Sequence, residues 1–258
     1  MDKKERLIMK NKDLVNYYNH EFYKKRDELT EYSALKILGI MHEYFNFESI
    51  ADIGGGIGTF LKVGQKLWGI NWERVSLYEG DYVEKDLLVI PSSCFHSTDL
   101  EVRLDNAKAV DLAISLEVAE HLSPERANLF VEDLCNLSEV VLFSAAAKGQ
   151  GGEHHVNEQK LSYWINLFEQ FGYCAFDLVR PLIQYDKRIP FWYRQNCIVF
   201  VKKESDAFDR LVSRAKWMPP LDMVSYDMIK DKIKILDTFG KTFFFRVGYK
   251  IYRIIQKL

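Results

Sequence analysis

Residues 49–58, Ser-Ile-Ala-Asp-Ile-Gly-Gly-Gly-Ile-Gly, constrain the fold more than any other stretch of this chain. A short apolar run reaches Asp52 and breaks at once into Gly54, Gly55, Gly56 and Gly58. Such a run reads as a buried strand. The glycines let the backbone turn tightly and approach a ligand where a Cβ would collide, while the next helix offers unpaired N–H groups. A dinucleotide fingerprint, G-x-G-x-x-G, would need a glycine at position 59, where this chain has Thr59. The shorter Gly54-x-Gly56-x-Gly58 spacing therefore argues for a nucleotide-sized ligand other than a nicotinamide dinucleotide.

The rest of the chain suits one α/β domain with helical additions. At 258 residues and 48% hydrophobic it can bury a full core. Strands are expected at 49–53, 74–79, 93–96, 109–116, 139–144, 173–179 and 196–201, alternating with helical patterns as βαβ units do. Leu35, Leu38, Met41 and Phe45 mark the apolar face of a helix over 31–45 that leads into the first strand. The division expected is a helical segment over 1–48, a ligand-binding domain over 49–203 and a helical extension over 204–258.

Charge and cysteine content exclude several classes. The net charge of −2 supplies no global basic field, which disfavours a nucleic-acid partner. Cys94, Cys135, Cys174 and Cys197 form no C-x-x-C pair, so they read as reduced thiols, neither a zinc knuckle nor a disulfide framework. The N-terminal residues show no apolar signal region, and no run approaches the ~18 apolar residues of a spanning helix. The expected location is the cytoplasm. Residues 241–258 hold five basic residues and no acid among many apolar ones, a basic amphipathic pattern suited to contact with the inner face of a membrane or to docking on protein.

Carboxylates recur where strands should end. Asp52 precedes the glycines, and Glu79, with Gly80 and Asp81, follows Gly56 by about the 20-residue spacing of one βαβ step. Asp99 and Leu100 close the third strand, and Leu116 and Glu117 the fourth. The fourth strand runs on into Glu117-Val-Ala-Glu120-His121, so an apolar run ends in three ionisable residues.

These motifs resemble the S-adenosylmethionine-dependent methyltransferases with a Rossmann-like fold. Gly54-x-Gly56-x-Gly58 with its upstream Asp52 is similar to their first motif, and Glu-x-x-Glu-His segments follow strand four in many of them. The resemblance spans about residues 17–202, because Phe143–Gln159 and Trp192–Asn196 also look like bacterial methyltransferases of surface-glycan and secondary-metabolite pathways. Lys148 and Glu153 depart from that pattern, where a proline-containing turn and a smaller residue are commoner. The resemblance implies a mostly parallel seven-stranded sheet with helices on both faces and helical ends. It also implies that Asp52, the four glycines, Glu79, Gly80, Asp81, Asp99, Leu100, Leu116 and Glu117 hold S-adenosylmethionine, with Glu79 on the ribose and Asp99 on the adenine amine.

For a hydroxyl acceptor a proton must leave, and a histidine titrating near neutrality is a suitable base. His121 and His155 are the candidates, with Glu120 beside them. Glu117, Glu120 and His121 would share one face if a helix has already begun at Glu117, and His155 could complete a divalent-metal set, as in the small-RNA 2′-O-methyltransferases that this constellation resembles. Aromatic residues Tyr17, Tyr18, Phe22, Tyr23, Tyr163, Trp164, Phe191, Trp192 and Tyr193 are candidates for an acceptor pocket, with Arg194, Gln195 and Asn196 as hydrogen-bonding neighbours. The favoured acceptor is a sugar or glycan hydroxyl. A small metabolite, an RNA 2′-hydroxyl and a non-methyltransferase Rossmann enzyme are the alternatives.

Overall fold

The computed structural model describes residues 20–105, 107–215 and 220–241, and separates the chain into two compact units, Met1–Asp222 and Met223–Leu258. In the first, α1 (His20–His42) leads into β1 (Ile50–Ile53), α2 (Thr59–Trp68), β2 (Val75–Glu79), β3 (Phe95–Ser97) and β4 (Leu112–Leu116). There follow α3 (Ala127–Leu137), β5 (Val140–Ser144), α4 (Leu161–Gln170) and β6 (Tyr173–Phe176), then α5 (Arg180–Ile183), α6 (Phe191–Asn196), β7 (Ile198–Lys202) and α7 (Asp206–Arg214). The second unit contains α8 (Tyr226–Lys241). No helix among the described residues is long and apolar enough to cross a membrane, and residues 242–258 lie outside the description.

The seven strands form one sheet in the order β3-β2-β1-β4-β5-β7-β6. All pairings are parallel except those of β7, which runs antiparallel to both β5 and β6. The chain order reverses between β1 and β4, and ligands of open α/β sheets bind at such a point, beyond the carboxyl ends of the strands. Because β7 is reversed, its amino-terminal end, next to α6, arrives at that same edge.

Apolar runs fill both faces of the central strands, as the wholly buried pattern of β5 shows. One layer packs α1, α2 and α7 against the sheet through Leu38, Met41, Phe60, Leu61, Val199 and Leu211. The other packs α3 and α4 through Phe130, Leu134, Phe143, Trp164 and Phe168. There the Phe168 and Phe200 rings stack with centroids 3.8 Å apart. Burying each such side chain contributes about 2–3 kcal/mol before its entropy cost.

Several expectations shift. The core face of α1 is Ala34, Ile37, Leu38 and Met41, while Leu35 is half exposed, because the helix begins well before residue 31 and its register sets a different stripe. Asn196, expected in a strand, ends α6. Ala207 and Leu211, at the start of the 204–258 extension, are buried in the same core as β7.

Candidate functional site

The carboxyl edge of the sheet opens into a cavity of about 1490 Å³. Its walls include the loop after β1, the ends of β2 and β4, the loop after β5 and the start of α6.

The glycine loop follows the logic of its sequence. Gly54 has φ +81, and a Cβ there would meet a Val118 methyl at 2.5 Å, so both conformation and space require glycine. A Cβ on Gly55 would meet the Asp52 carboxylate at 2.3 Å. Asp52 is thereby tucked beneath the loop and does not line the cavity, nor does Gly58. Burial, and then the neighbouring Glu79, raise the Asp52 carboxyl well above the usual aspartate range.

Glu79 ends β2 inside the cavity. It accepts hydrogen bonds from the Gly56 N–H (2.8 Å), the Gly80 N–H (2.7 Å) and the Tyr82 hydroxyl (2.6 Å). Burial raises its pKa, and these three donors work in the opposite direction. Gly80, Asp81, Asp99, Leu100 and Leu116 also line the cavity. Asp99 in addition accepts the Glu101 N–H at 3.0 Å, which folds its own turn. The Arg126 side chain fastens that turn, donating to the carbonyls of Leu100 (2.9 Å) and Val102 (2.7 Å) while pairing with the buried Asp133 carboxylate.

At the end of β4 the chain kinks. Glu117 has φ +57, costly for a residue with a Cβ, and the helical turn begins only at Ala119–His121. Glu117 therefore does not share a helical face with Glu120 and His121. Its carboxylate accepts from Gln150 Nε2 and Asn196 Nδ2, both at 3.0 Å. The expected four-residue metal set becomes three. Ligand atoms of Glu120, His121 and His155 lie within 4.8 Å of one another, without Glu117.

Glu120 is the anomaly of the site. It is fully buried, and neither carboxylate oxygen has a hydrogen-bond partner. Burial first, and the nearby Glu117 next, push its pKa well above the usual glutamate range. Its backbone carbonyl accepts the N–H groups of Val156 (2.9 Å) and Asn157 (3.0 Å), which fastens the His155 loop to the turn after β4. The two imidazoles meet edge to face, with centroids 4.8 Å apart. His155 Nδ1 lies 2.9 Å from Glu158, whose carboxylate also accepts the N–H groups of Gly149 and Gly151. Burial alone would raise Glu158, but the hydrogen bonds from His155, Gly149 and Gly151 outweigh it and leave the pKa low.

The aromatic candidates divide. Phe191, Trp192 and Tyr193 line the cavity; Trp164 is buried in the core and Tyr163 packs against it. Arg194 donates to the carbonyls of Ile189 and Gln184, Gln195 donates to Asn196 and Asn196 to Gln150, and none of the three lines the cavity. Tyr17 and Tyr18 lie outside the described residues, and Phe22 and Tyr23 lie on α1. Sequence reasoning missed Tyr82, Gln150 and Glu158. Of these, Glu158 was discoverable as the carboxylate three residues beyond His155, and Gln150 as the one polar side chain within Gly149–Gly152.

No family model matches the chain, and no curated protein does. Solved structures do. The chain is similar to an O-methyltransferase family protein from Burkholderia thailandensis, with a TM-score of 0.50 and 10% identity over 72% of this chain and 59% of that one. It is also similar to a chain from the Haloferax volcanii complex of the Trm112 methyltransferase activator, with a TM-score of 0.52 and 12% identity over 73% of this chain and 96% of that one. The chain thus spans about three fifths of the length of the Burkholderia protein. The fold is the Rossmann-like, class I methyltransferase fold, with seven mostly parallel strands between helices.

Proposed function

We propose that this chain is an S-adenosylmethionine-dependent methyltransferase that methylates a sugar or glycan hydroxyl. The observation that carries the reading is the convergence of the glycine loop, Glu79, Asp99, Glu117 and two imidazoles on one cavity at the topological switch of the sheet. The glycine loop offers N–H groups and close approach, and Glu79 presents a carboxylate to ribose hydroxyls. When bound, S-adenosylmethionine would supply a methyl on a sulfonium, whose departure as a neutral thioether takes the C–S electron pair with it.

The protein's own part is alignment and proton removal. Trp192 and Tyr193 line the same cavity as the histidines and supply the aromatic surface on which a sugar ring would stack. His155, held at Nδ1 by Glu158, takes the hydroxyl proton, and His121 stands beside it. Calorimetry with S-adenosylmethionine and with NAD tests the cofactor: no heat with the first, or tight binding of the second, rejects the reading. Methyl transfer to glycans, RNA and small phenols, followed by mass spectrometry, tests the acceptor.

A second reading adds a divalent ion, and the unpartnered carboxylate of Glu120 favours it. Glu120, His121 and His155 would hold it, a mixed oxygen and imidazole set better suited to Mn²⁺, Fe²⁺, Co²⁺ or Zn²⁺ than to Mg²⁺. Such an ion would polarise an acceptor hydroxyl. Full activity in a metal-free, chelator-treated sample removes the ion from the reaction.

A further inference from the structure

Tyr82 lies in the turn that leaves β2, and its hydroxyl donates to Glu79 Oε1 at 2.6 Å. The backbone is shaped to permit this bond. Gly80 does not adopt a left-handed φ, so its conformation does not call for glycine. Space does: a Cβ there would meet Tyr82 Cε1 at 2.1 Å and Cδ1 at 2.5 Å. The missing Cβ thus lets the Tyr82 ring fold back over Gly80 and bring its hydroxyl to the carboxylate.

Glu79 is buried, and a carboxylate accepts about four hydrogen bonds on its two oxygens. Oε1 takes the Gly80 N–H at 2.7 Å as well as Tyr82, and Oε2 takes the Gly56 N–H at 2.8 Å. One acceptor place remains. A ribose diol would bring two donors to this carboxylate, which lines the cavity beside the glycine loop. Two of the three donors already present are backbone groups, fixed by the turns that hold them. The third is a half-buried side chain on the cavity wall, free to leave by rotation about its own bonds.

We propose that Tyr82 is a built-in competitor of the cofactor: its hydroxyl stands in for one ribose hydroxyl on Glu79 and yields that place when the diol binds. The inference rests on the cofactor reading above and deepens it. Tyr82 keeps a buried carboxylate supplied with a donor between turnovers, where a bare one would cost stability. It tempers affinity for S-adenosylmethionine and for the thioether product alike, because both carry the same ribose, and so favours exchange of one for the other.

The test is calorimetric affinity of the full chain and of Tyr82→Phe for S-adenosylmethionine and for S-adenosylhomocysteine, with thermal unfolding of each protein alone. Phenylalanine keeps the ring over Gly80 and removes only the competing hydroxyl. The variant is expected to bind both ligands about three- to tenfold more tightly and, without ligand, to unfold at a lower Tm. A residue that merely supported the fold would lower Tm without tightening either ligand. Unchanged or weaker binding, or a gain confined to one ligand, overturns the inference while leaving the cofactor reading intact. Failure of the unaltered chain to bind either ligand overturns the reading and the inference together.

Discussion

His155 and Glu158 are bound side chain to side chain at 2.9 Å, three residues apart on a loop without helical structure. That spacing is ordinary on a helix. Here it depends on Gly149 and Gly151, whose N–H groups grip the other faces of the Glu158 carboxylate. The loop thereby commits Nδ1 of His155 to Glu158, and the base role proposed above falls to Nε2.

The first prediction follows from that commitment. His155→Ala should lower kcat by about 100-fold or more, and Glu158→Gln by at least about tenfold, with cofactor affinity nearly unchanged in both. Steady-state rates beside calorimetric binding make the check. Full turnover in His155→Ala transfers the base role to His121.

Glu120 should trade stability against activity. Its buried, unpartnered oxygens cost roughly 1–3 kcal/mol, a cost that Glu120→Met, which carries no strong hydrogen-bonding group, removes. Thermal unfolding should show a higher Tm for the variant, and rates should show a loss. A variant both less stable and fully active contradicts the site.

Asp52 gives a pH signature. Its carboxyl is raised in the folded state, first by burial and then by Glu79, so the folded protein binds the proton more tightly than the unfolded chain. Ionisation then opposes folding, and stability drains away as pH rises from the ordinary aspartate range of about 4 toward the raised value. Asp52→Asn lacks this term. Denaturant titrations from pH 4 to pH 7 should show the variant gaining on the parent as pH rises, and parallel curves would reject the assignment.

Arg126→Ala should leave the buried Asp133 carboxylate with Arg103 as its one remaining cation among the described residues and release the Leu100 turn. A cost of about 1–3 kcal/mol is expected, together with a raised KM for the cofactor. Urea unfolding and kinetics measure the two effects separately.

Much of the fold was legible because its signals are local. An apolar run broken by glycines, followed by carboxylates at successive strand ends, can be read from one strand and one turn at a time. Glu79, Asp99 and Glu117 reach the cavity wall for that reason. The departures arise where a tertiary contact decides. Asp52 ends its strand as the other acids do, but its carboxylate lies beneath Gly55 and outside the cavity lining, a placement no local signal marks. Trp164 reads as a pocket aromatic until α4 turns it against Phe143. The positive φ of Glu117 has no signature in a residue that ordinarily avoids it, so the i, i+3, i+4 reading of Glu117, Glu120 and His121 failed at its first member. Asn196 meets Glu117 across 79 residues, a pairing that only the placement of β7 reveals.

The reversal of β7 has a topological consequence. Every parallel strand delivers its last residue to the reacting edge, but β7 delivers its first, so α6 approaches that edge from upstream. The sheet register Phe143↔Ile198 anchors this arrival, and the path through residues 177–190 is tied to the same helix, Arg180 donating to the Gln195 carbonyl and Arg194 to the carbonyls of Gln184 and Ile189. A change of length in that path therefore moves Phe191–Tyr193 on the cavity wall and Asn196 on Glu117 together, because one helix carries both.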